Sequence, residues 1–379
     1  MGRSLSWRKP GSRAVGLTVL IWVVLASLVS AQNIPASGLP SGLPDDLSDM
    51  SPFHPCQGNL CGMQPPRPSL YVETDGIWLR RDRVISVPLQ NLGGQGDVVL
   101  STDGLTEPFR PGTRVTVGHS CGESCWQIDA TYFSLGQWID SVAIRDNTSN
   151  GVSTGDLFSP FSNFGDPLPN HEGFDYNEAM SVRELSQFQS AELNLRYTLP
   201  MPHQCLTAKL LIGLRYIGIN EQFDYYSYSN VPVGTGSAVA LDTLTRNDLL
   251  GTQIGGEFYF YAYPCCWIDV GIKGMIANNR AVQHTTGDRN FAGVVTSIDS
   301  YRDRDATAYV GDLDVQLVWQ MSRHSQLRLG YQAIWVNDLA LASRNFSQPA
   351  SILLNGPPQI DTIGQAVYHG PHLGLEFDW

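Results

Sequence analysis

The sequence alternates apolar and polar residues with a period of two, and the end of the chain shows this pattern most clearly. In HLGLEFDW, residues 372–379, the apolar residues are Leu373, Leu375, Phe377 and Trp379, and polar residues or glycine fill the positions between them. Successive side chains of a β-strand point to opposite faces, so this segment is predicted to be a strand with one apolar and one polar face. Helical spacing of apolar residues is nearly absent. The chain is therefore predicted to be all-β.

Ten segments of this kind follow one another from residue 70 onward. They cover residues 70–79, 114–119, 126–132, 191–199, 210–216, 254–260, 268–276, 313–319, 327–335 and the C-terminal strand. Short turns at residues 120–124, 200–205, 263–266 and 322–325 alternate with long loops at about 82–112, 137–184, 226–246, 280–305 and 339–366. Short periplasmic turns and long extracellular loops are typical of outer-membrane barrels. We predict an antiparallel up-and-down transmembrane β-barrel of about ten strands, with eight to twelve allowed, over residues 70–379.

The two faces of the predicted strands differ in composition. One face carries charges of both signs, which suits a polar lumen; its candidate cluster is Glu192, Arg196, Arg215, Gln253, Glu257, Lys273, Asp314 and Arg328. The other face is rich in Leu, Ile, Tyr, Phe and Trp, with aromatic residues near the segment ends. Leu373, Leu375 and Phe377 are then expected to face lipid, and Trp379 the periplasmic interface. An aromatic C-terminus also resembles the signal that such barrels present to their insertion machinery.

The first 31 residues have the features of a secretory signal peptide. Arg3, Arg8, Lys9 and Arg13 precede an apolar run, and small residues follow at positions 29–31. An uncleaved anchor is the weaker alternative. Cleavage would change the formal net charge from −12 to −16, because four basic residues and no acidic ones are lost. An acidic exported chain is a poor candidate for binding nucleic acid.

Residues 32–69 are rich in Pro, Gly and Ser and show no sustained period. We interpret them as a flexible periplasmic lead-in to the barrel.

Several stretches resemble a known family. They are LIGLRYIGINE at residues 211–221, NDLLGTQIGGE at 247–257, the dipeptides Lys273-Gly274 and Asn278-Asn279, and GPHLGLEFDW at 370–379. The chain is similar, from about Tyr71 onward, to a planctomycete outer-membrane β-barrel family sometimes called beta-barrel protein family seven. The resemblance implies location and architecture, but no activity.

The lumenal charges could either fill the barrel or line a solute path. Ten strands make a ring only slightly wider than the eight-stranded barrels that side chains fill, and far narrower than open porins. We therefore prefer a structural or surface-interacting role, with a narrow channel for small solutes as the alternative. The expected partners are outer-membrane lipid and the barrel-insertion machinery; no cofactor is expected.

Two alternatives belong to other functional classes. Some ten-stranded outer-membrane barrels are proteases with acidic residues and a histidine at the outer rim, where this chain has His284, Asp303, Asp305, Asp338 and His369. No spacing sets a base against a nucleophile, so the chain is not expected to be an enzyme. A soluble secreted all-β binding domain is the other alternative. The aromatic stretch at residues 158–164 could pack on its own loop, fold inward as a plug or bind a partner.

The positions of the cysteines are independent of the strand pattern and provide a separate check on the topology. Five lie in or beside the predicted short turns: Cys121, Cys125, Cys205, Cys265 and Cys266. They are expected to share one rim in an oxidising compartment, where Cys121 could bridge to Cys125 and Cys205 to Cys265 or Cys266. A metal site that includes His203 is the alternative. Because the chain has seven cysteines, at least one is free or bonded to another chain.

A turn centred on Cys265 would also set a strand register. Glu257 and Lys273 would then lie directly opposite each other on the lumenal face. Such an opposite-charge pair contributes roughly 0.2–1 kcal/mol.

Overall fold

The structure, a computed structural model, describes residues 70–83, 86–92, 96–120, 125–146, 155–165, 174–200, 205–229, 236–263, 265–346, 349, 353 and 359–379. The predicted signal peptide and lead-in lie outside these residues.

The described part of the chain is built almost entirely of strands. They are β1 (Leu70–Arg83), β2 (Pro88–Leu92), β3 (Val98–Ser101), β4 (Arg110–Ser120), β5 (Trp126–Leu135), β6 (Trp138–Arg145), β7 (Leu157–Phe158), β8 (Ala179–Leu199), β9 (Leu206–Ser229), β10 (Ser237–Tyr263), β11 (Cys266–Phe291), β12 (Val294–Ser322), β13 (Ser325–Leu339) and β14 (Gly364–Asp378). Helical turns occur at α1 (Ala342–Asn345) and at the 3₁₀ helices Thr102–Gly104 and Pro160–Ser162. Within the described ranges, no helix is long and apolar enough to cross a membrane.

The strands close into an antiparallel barrel. The hydrogen-bonded order is β5-β4-β1-β14-β13-β12-β11-β10-β9-β8, and pairing of β5 with β8 closes the ring. β6 continues the line of β5, because β8 pairs with β5 through residues 189–197 and with β6 through residues 179–186. The predicted up-and-down barrel of about ten strands is confirmed. β3, β2 and β7 form a separate small sheet in the long connections.

The outer surface of the barrel carries an apolar belt. On β10 the outward residues are apolar or small from Phe260 to Leu250, and the next two outward residues are Asp248 and Arg246. The ten residue steps between Leu250 and Phe260, at about 3.3 Å each and tilted by about 40°, span about 25 Å, which matches the apolar band of outer-membrane barrels. The outward residues of β11 and β12 change from apolar to polar or charged in the same way, at Asn278 and Arg280 and at Thr307 and Asp305.

Four neighbouring strands extend well beyond this belt. β9, β10, β11 and β12 contain 24, 27, 26 and 29 residues, whereas a membrane crossing needs about 9–11. Residues 226–246 and 280–305, which we expected to be long loops, are therefore mostly strand. The two-residue alternation continues there, and the inward residues are buried whether apolar, such as Val239 and Ile298, or polar, such as Thr243.

The hairpin between β11 and β12 ends in a two-residue turn. Ala292 and Gly293 both have positive φ, at 50° and 82°. Two central residues of positive φ match the right-handed twist of the flanking strands, so this turn joins long strands without splaying them.

The short turns share one rim, as the cysteines predicted. The Cys125 carbonyl accepts a hydrogen bond from Thr198, and the Cys205 carbonyl accepts one from Tyr261 of the neighbouring hairpin. Both links lie at the end of the barrel where β4, β8, β10, β12 and β14 finish. By the rule for outer-membrane barrels, this is the periplasmic rim.

The predicted disulfides are only partly correct. Cys205 and Cys265 are both disulfide-bonded, whereas Cys125 and Cys266 are free. The predicted local bridge between Cys121 and Cys125 and the bridge from Cys205 to Cys266 are therefore wrong. Cys121 itself lies outside the described residues, and a bridge between Cys205 and Cys265 stays a prediction.

Candidate functional site

The periplasmic half of the lumen is filled by charged side chains, and its arginines each contact two carboxylates. Arg215 is fully buried; its Nη1 lies 2.9 Å from Asp312 Oδ2 and its Nε 3.3 Å from Glu192 Oε1. Lys273 and Gln253 both donate to Glu192 Oε2 at 2.9 Å. Charges withdrawn from water are stable only when they are paired and hydrogen-bonded. Residues of five neighbouring strands, β8 to β12, thus meet around one buried ion pair.

Arg196 makes the same kind of contact nearer the periplasmic rim. Its Nη1 lies 2.6 Å from Glu257 Oε1 and its Nε 2.6 Å from Asp129 Oδ2. Tyr259 donates its hydroxyl to Glu257 Oε2 at 2.9 Å, and Asn194 donates to Asp129 Oδ1 at 3.0 Å. Arg196 therefore links β5 and β10 across the lumen.

Arg114 lies at the centre of a third group. Its Nε donates to Asp75 Oδ2 at 2.7 Å and its Nη1 to Asp314 Oδ2 at 3.2 Å. Its Nη2 lies 3.2 Å from His372 Nδ1, so this ring nitrogen is the acceptor and Nε2 donates to Asp314 at 2.9 Å. Gly330 lies opposite His372 in the register of β13 and β14. A Cβ atom at position 330 would lie only 2.4 Å from Nε2 of the His372 ring. A glycine at this position makes room for the buried imidazole.

Arg328 completes the set of arginines. Its Nη1 contacts Glu73 and lies 3.2 Å from Glu376 Oε2, and its Nε donates to Gln316 Oε1 at 3.1 Å. Gln316 in turn donates to Asp269 Oδ2 at 2.6 Å. The network therefore continues from the neighbouring strands β1 and β14 to β11.

All eight residues of the candidate lumenal cluster lie on the inner face: Glu192, Arg196, Arg215, Gln253, Glu257, Lys273, Asp314 and Arg328. The candidate cluster omitted several partners, among them Asp75, Arg114, Asp129 and His372. Each of these residues occupies an inward-facing position in the two-residue alternation of its strand, and this is the sequence feature by which they could be found. Alternation is weak in β1 and β4, where glycine, threonine and proline interrupt it.

The predicted register of the β10–β11 hairpin is wrong by two residues. Glu257 lies opposite Gly271 and Lys273 opposite Gly255, although both charged side chains still face the lumen. Two causes each contribute one residue. The turn is centred between Pro264 and Cys265 rather than on Cys265, and the register shifts between Tyr261 and Tyr263.

An apolar layer crosses the lumen above the charged half. Its side chains are at most 8% exposed: Ile77, Leu79, Phe133, Leu135, Trp138, Phe188, Ile217, Ile219, Leu249, Met275, Ala277, Ala308, Val310, Ile334, Val336, Leu339, Leu341, Ala366 and Tyr368. The Phe188 ring lies 5.2 Å from that of Phe133 and 4.6 Å from that of Tyr368, centroid to centroid. This layer separates the charged half of the lumen from the extracellular mouth.

Residues 339–346, here called the plug segment, lie across the mouth of the barrel. The side chain of Asn247 both accepts from Ala340 N at 2.8 Å and donates to Ala340 O at 2.9 Å. Asn279 donates to Asn247 Oδ1 at 3.0 Å and to Asp338 O at 2.9 Å. These amides satisfy buried backbone groups that would otherwise be costly to bury, and so fix the plug segment in place.

A buried arginine also ties the plug segment to the wall. The Nη1 of Arg81 lies 3.2 Å from Glu184 Oε1 and 3.3 Å from Glu107 Oε1, and its Nη2 contacts Glu221. The other oxygen of Glu221 accepts from Ala342 N at 2.9 Å.

The aromatic stretch predicted at residues 158–164 folds inward over the plug segment. Phe161 is 2% exposed, and its ring centroid lies 5.0 Å from Tyr225, 5.2 Å from Phe174 and 5.7 Å from Phe346. The stretch also packs on its own loop, because Ser159 N and Ser162 Oγ both donate to Asp175 Oδ1. Self-packing and inward folding are therefore both observed, and binding of a partner stays a prediction.

A small cavity remains in the charged half of the lumen. Its volume is about 130 Å³, and its walls include Lys209, Tyr259, Trp267 and Asp269 together with the arginine groups. Among the described residues, no group of three or more His, Cys, Asp or Glu could hold a metal ion.

The residues considered for a rim hydrolase do not converge. His284 pairs with Asp299 at 2.9 Å on the β11–β12 hairpin, whereas His369 pairs with Asp82 at 2.8 Å where β14 meets β1. Asp303 lies 4.0 Å from Arg280 and is half-exposed.

One titratable pair lies on the extracellular extension, outside the membrane. Asp242 is opposite Asp224 in the register, and Gln222 donates to both, at 3.2 and 2.9 Å. Partial burial and the neighbouring Asp224 carboxylate raise the pKa of Asp242 to about 6.

Comparisons with known proteins agree with a β-barrel. The family model described as "Putative beta barrel porin-7 (BBP7)" matches residues 89–379, more than half of the chain. The outer membrane protease OmpT from Escherichia coli is similar at 9% identity and a TM-score of 0.42, over 85% of this chain and all of that one. Neisserial surface protein A is similar at 7% identity and a TM-score of 0.28, over 82% of this chain and 97% of that one. The translocator domain of the autotransporter NalP from Neisseria meningitidis is similar at 10% identity and a TM-score of 0.33, over 82% of this chain and 89% of that one. No curated protein matches the chain.

Proposed function

We propose that this chain, which belongs to the "Putative beta barrel porin-7 (BBP7)" family, is an outer-membrane barrel with a closed lumen that acts through its extracellular part. Its role is then structural or surface-interacting rather than one of solute passage.

The observation that carries this proposal is the apolar layer. Most of its side chains, such as Phe188, Ile334 and Tyr368, belong to the barrel strands, and only Leu339 and Leu341 come from the plug segment. Movement of the plug segment alone would therefore leave the layer in place. A hydrated ion that crossed it would lose water without gaining polar partners, which is strongly unfavourable.

The extracellular part supports the second half of the proposal. β9 to β12 rise many residues above the apolar belt, which is more than closing a barrel requires. Tyr226, Val294, Val295 and Tyr301 expose apolar surface on this extension. Exposed apolar groups beside charged ones are common at protein contact sites.

We also propose that the barrel is not an enzyme. The two histidine–aspartate pairs lie on different parts of the barrel wall. A catalytic site needs its groups to face one shared substrate position.

A liposome-swelling assay with small sugars tests the closed lumen. Wild-type protein is expected to give no swelling. A triple variant that opens the layer, Phe188→Ala with Ile334→Ala and Tyr368→Ala, is expected to let sugars pass. Leu195→Ala with Leu329→Ala and Leu373→Ala is the matched control, because these leucines are exposed on the lipid face. Swelling with the wild-type protein would refute the proposal.

A further inference from the structure

The charged half of the lumen contains more acid than base. Among the described residues inside the periplasmic rim it holds nine carboxylates: Glu73, Asp75, Asp129, Glu192, Glu257, Asp269, Asp312, Asp314 and Glu376. Asp378, at the rim itself, lies 3.4 Å from His324 and is not counted. It holds six cationic side chains: Arg114, Arg196, Lys209, Arg215, Lys273 and Arg328. The formal excess is three negative charges, so this half of the lumen repels small anions.

One carboxylate and one cationic side chain of this half of the lumen take part in no ion pair. The four arginines contact eight of the nine carboxylates, two each, and Lys273 shares Glu192 with Arg215. Within the described ranges, Asp269 has no cationic side chain within 4 Å. Lys209 likewise has no carboxylate within that distance; Glu257 lies opposite it in the register but pairs with Arg196.

These two residues flank the same aromatic ring. Lys209 Nζ lies 4.9 Å from the centroid of Tyr259, and its hydrogen-bond acceptor is Gln127 Oε1 at 3.2 Å. Asp269 lies directly opposite Tyr259 on the other neighbouring strand. All three residues line the cavity of about 130 Å³, which is surrounded by the strand ends of the periplasmic rim.

Two buried polar groups of this wall lack a partner. Asp269 is 6% exposed, and its Oδ1 has no hydrogen bond among the described residues. Trp267, 5% exposed, lines the same cavity, and its indole N–H is also unpaired. Buried polar groups are rarely left without a partner, so this carboxylate oxygen and this indole N–H are free to bind whatever fills the cavity, whether water or a ligand.

We propose that this cavity binds a small zwitterion from the periplasmic side, with its ammonium group at Asp269 and its carboxylate at Lys209. A simple cation bound at Asp269 would leave Lys209 without an anionic partner, and a simple anion would be repelled by the excess of carboxylates. A molecule with both charges a few bonds apart satisfies both residues, and the Tyr259 ring lies between them. The volume of about 130 Å³ suits a small ligand, such as a short amino acid.

This inference is independent of the closed lumen. The cavity lies on the periplasmic side of the apolar layer, so it could be filled whether or not solutes cross the barrel.

Isothermal titration calorimetry of the full-length protein in detergent, in phosphate buffer, tests the site. The probes are glycine, β-alanine and γ-aminobutyrate, with propylammonium and propionate as singly charged controls. At least one zwitterion is expected to bind, and at least tenfold more tightly than either control. Absence of binding by all three zwitterions, or equal binding of propylammonium, would overturn the proposal.

Two variants assign the ligand groups. Asp269→Asn and Lys209→Met are each expected to weaken zwitterion binding about 10- to 100-fold, the usual loss for a charged hydrogen bond. Asp103→Asn, an exposed change far from the cavity, is the matched control. Heat-modifiable gel mobility checks that each variant is folded. Folded variants that bind like the wild type would refute the assignment.

Discussion

At the scale of single residues, the lumen is stabilised by a few arginines that each serve two carboxylates. Buried ion pairs stabilise a protein little more than hydrophobic residues of the same volume would. Removing one partner, however, leaves the other charges buried and uncompensated, which lowers stability strongly. The charged half of the lumen is therefore sensitive to single substitutions on its basic side chains.

Arg215→Met tests this sensitivity. It removes the arginine that contacts Glu192 and Asp312, and we expect the free energy of unfolding to fall by about 3–5 kcal/mol. Arg246→Met is the matched control. It breaks a half-exposed pair with Asp248 and should cost no more than about 1 kcal/mol. Urea unfolding in detergent micelles measures both; equal losses would contradict the buried-pair account.

Asp242 should make the extracellular extension pH-dependent. Its pKa in the folded protein, about 6, is above the ordinary aspartate value, so the folded state binds the proton more tightly than the unfolded state does. The stabilisation is fully present below about pH 4 and is lost as the pH rises through 6. Asp242→Asn should remove this dependence and leave the variant more stable than the wild type at pH 7.5.

Thermal unfolding followed by circular dichroism between pH 4 and pH 8 measures this effect. Asp288→Asn, which removes another carboxylate of the same extension, is the control. A wild-type protein that becomes more stable between pH 4 and pH 7 relative to Asp242→Asn would contradict the assignment.

At the scale of elements, the longest strand has a free edge. β12 pairs with β13 only from Val310 onward, so no described strand pairs with residues 294–309 on that side. Unpaired strand edges promote aggregation unless charges protect them. Alternating charges occupy this edge at Arg302, Asp303, Arg304 and Asp305, and all four are exposed.

Replacing those four charges by threonine should therefore cause self-association through β12. Light scattering after size-exclusion chromatography in detergent is expected to show larger species than in the wild type. Threonine at Arg280, His284, Asp288 and Asn290 of β11 is the matched control, because β11 is paired on both sides. A monodisperse β12 variant would show that the charges do not protect the edge.

The sequence predicted the strands well but not their ends. Alternation identified which side chains of β8 to β14 face inward, because a period of two survives changes of register by two residues. It could not give the β10–β11 register, which depends on a local irregularity at Tyr261–Tyr263. Nor could alternation show where β12 begins. The same pattern continues above the membrane, because a sheet in water also has a buried and an exposed face.

At the scale of the whole molecule, the position of the plug segment across the mouth could not be predicted from local pattern. It depends on contacts between residues far apart in the chain, such as Asn247 with Ala340 and Arg81 with Glu221. The apolar layer is also invisible to a rule that assigns the inner face to polar residues, because Ile217, Ile334 and similar residues face inward at that level. The narrow ring of ten strands was the one sequence-based reason to expect a filled lumen.

Whether the C-terminal strand is recognised by the insertion machinery stays a prediction. Leu373, Leu375, Phe377 and Trp379 are exposed on the outer face, as expected for a lipid-facing strand.

Single-channel recording in planar lipid bilayers tests the central claim most directly, because it reports ion passage through one barrel at a time. The closed lumen predicts that purified, folded protein inserts without steady conductance steps. The layer-opening variant Phe188→Ala with Ile334→Ala and Tyr368→Ala should produce such steps under the same conditions. Uniform, long-lived openings of the wild-type protein would contradict the account, because the apolar layer would then not close the barrel.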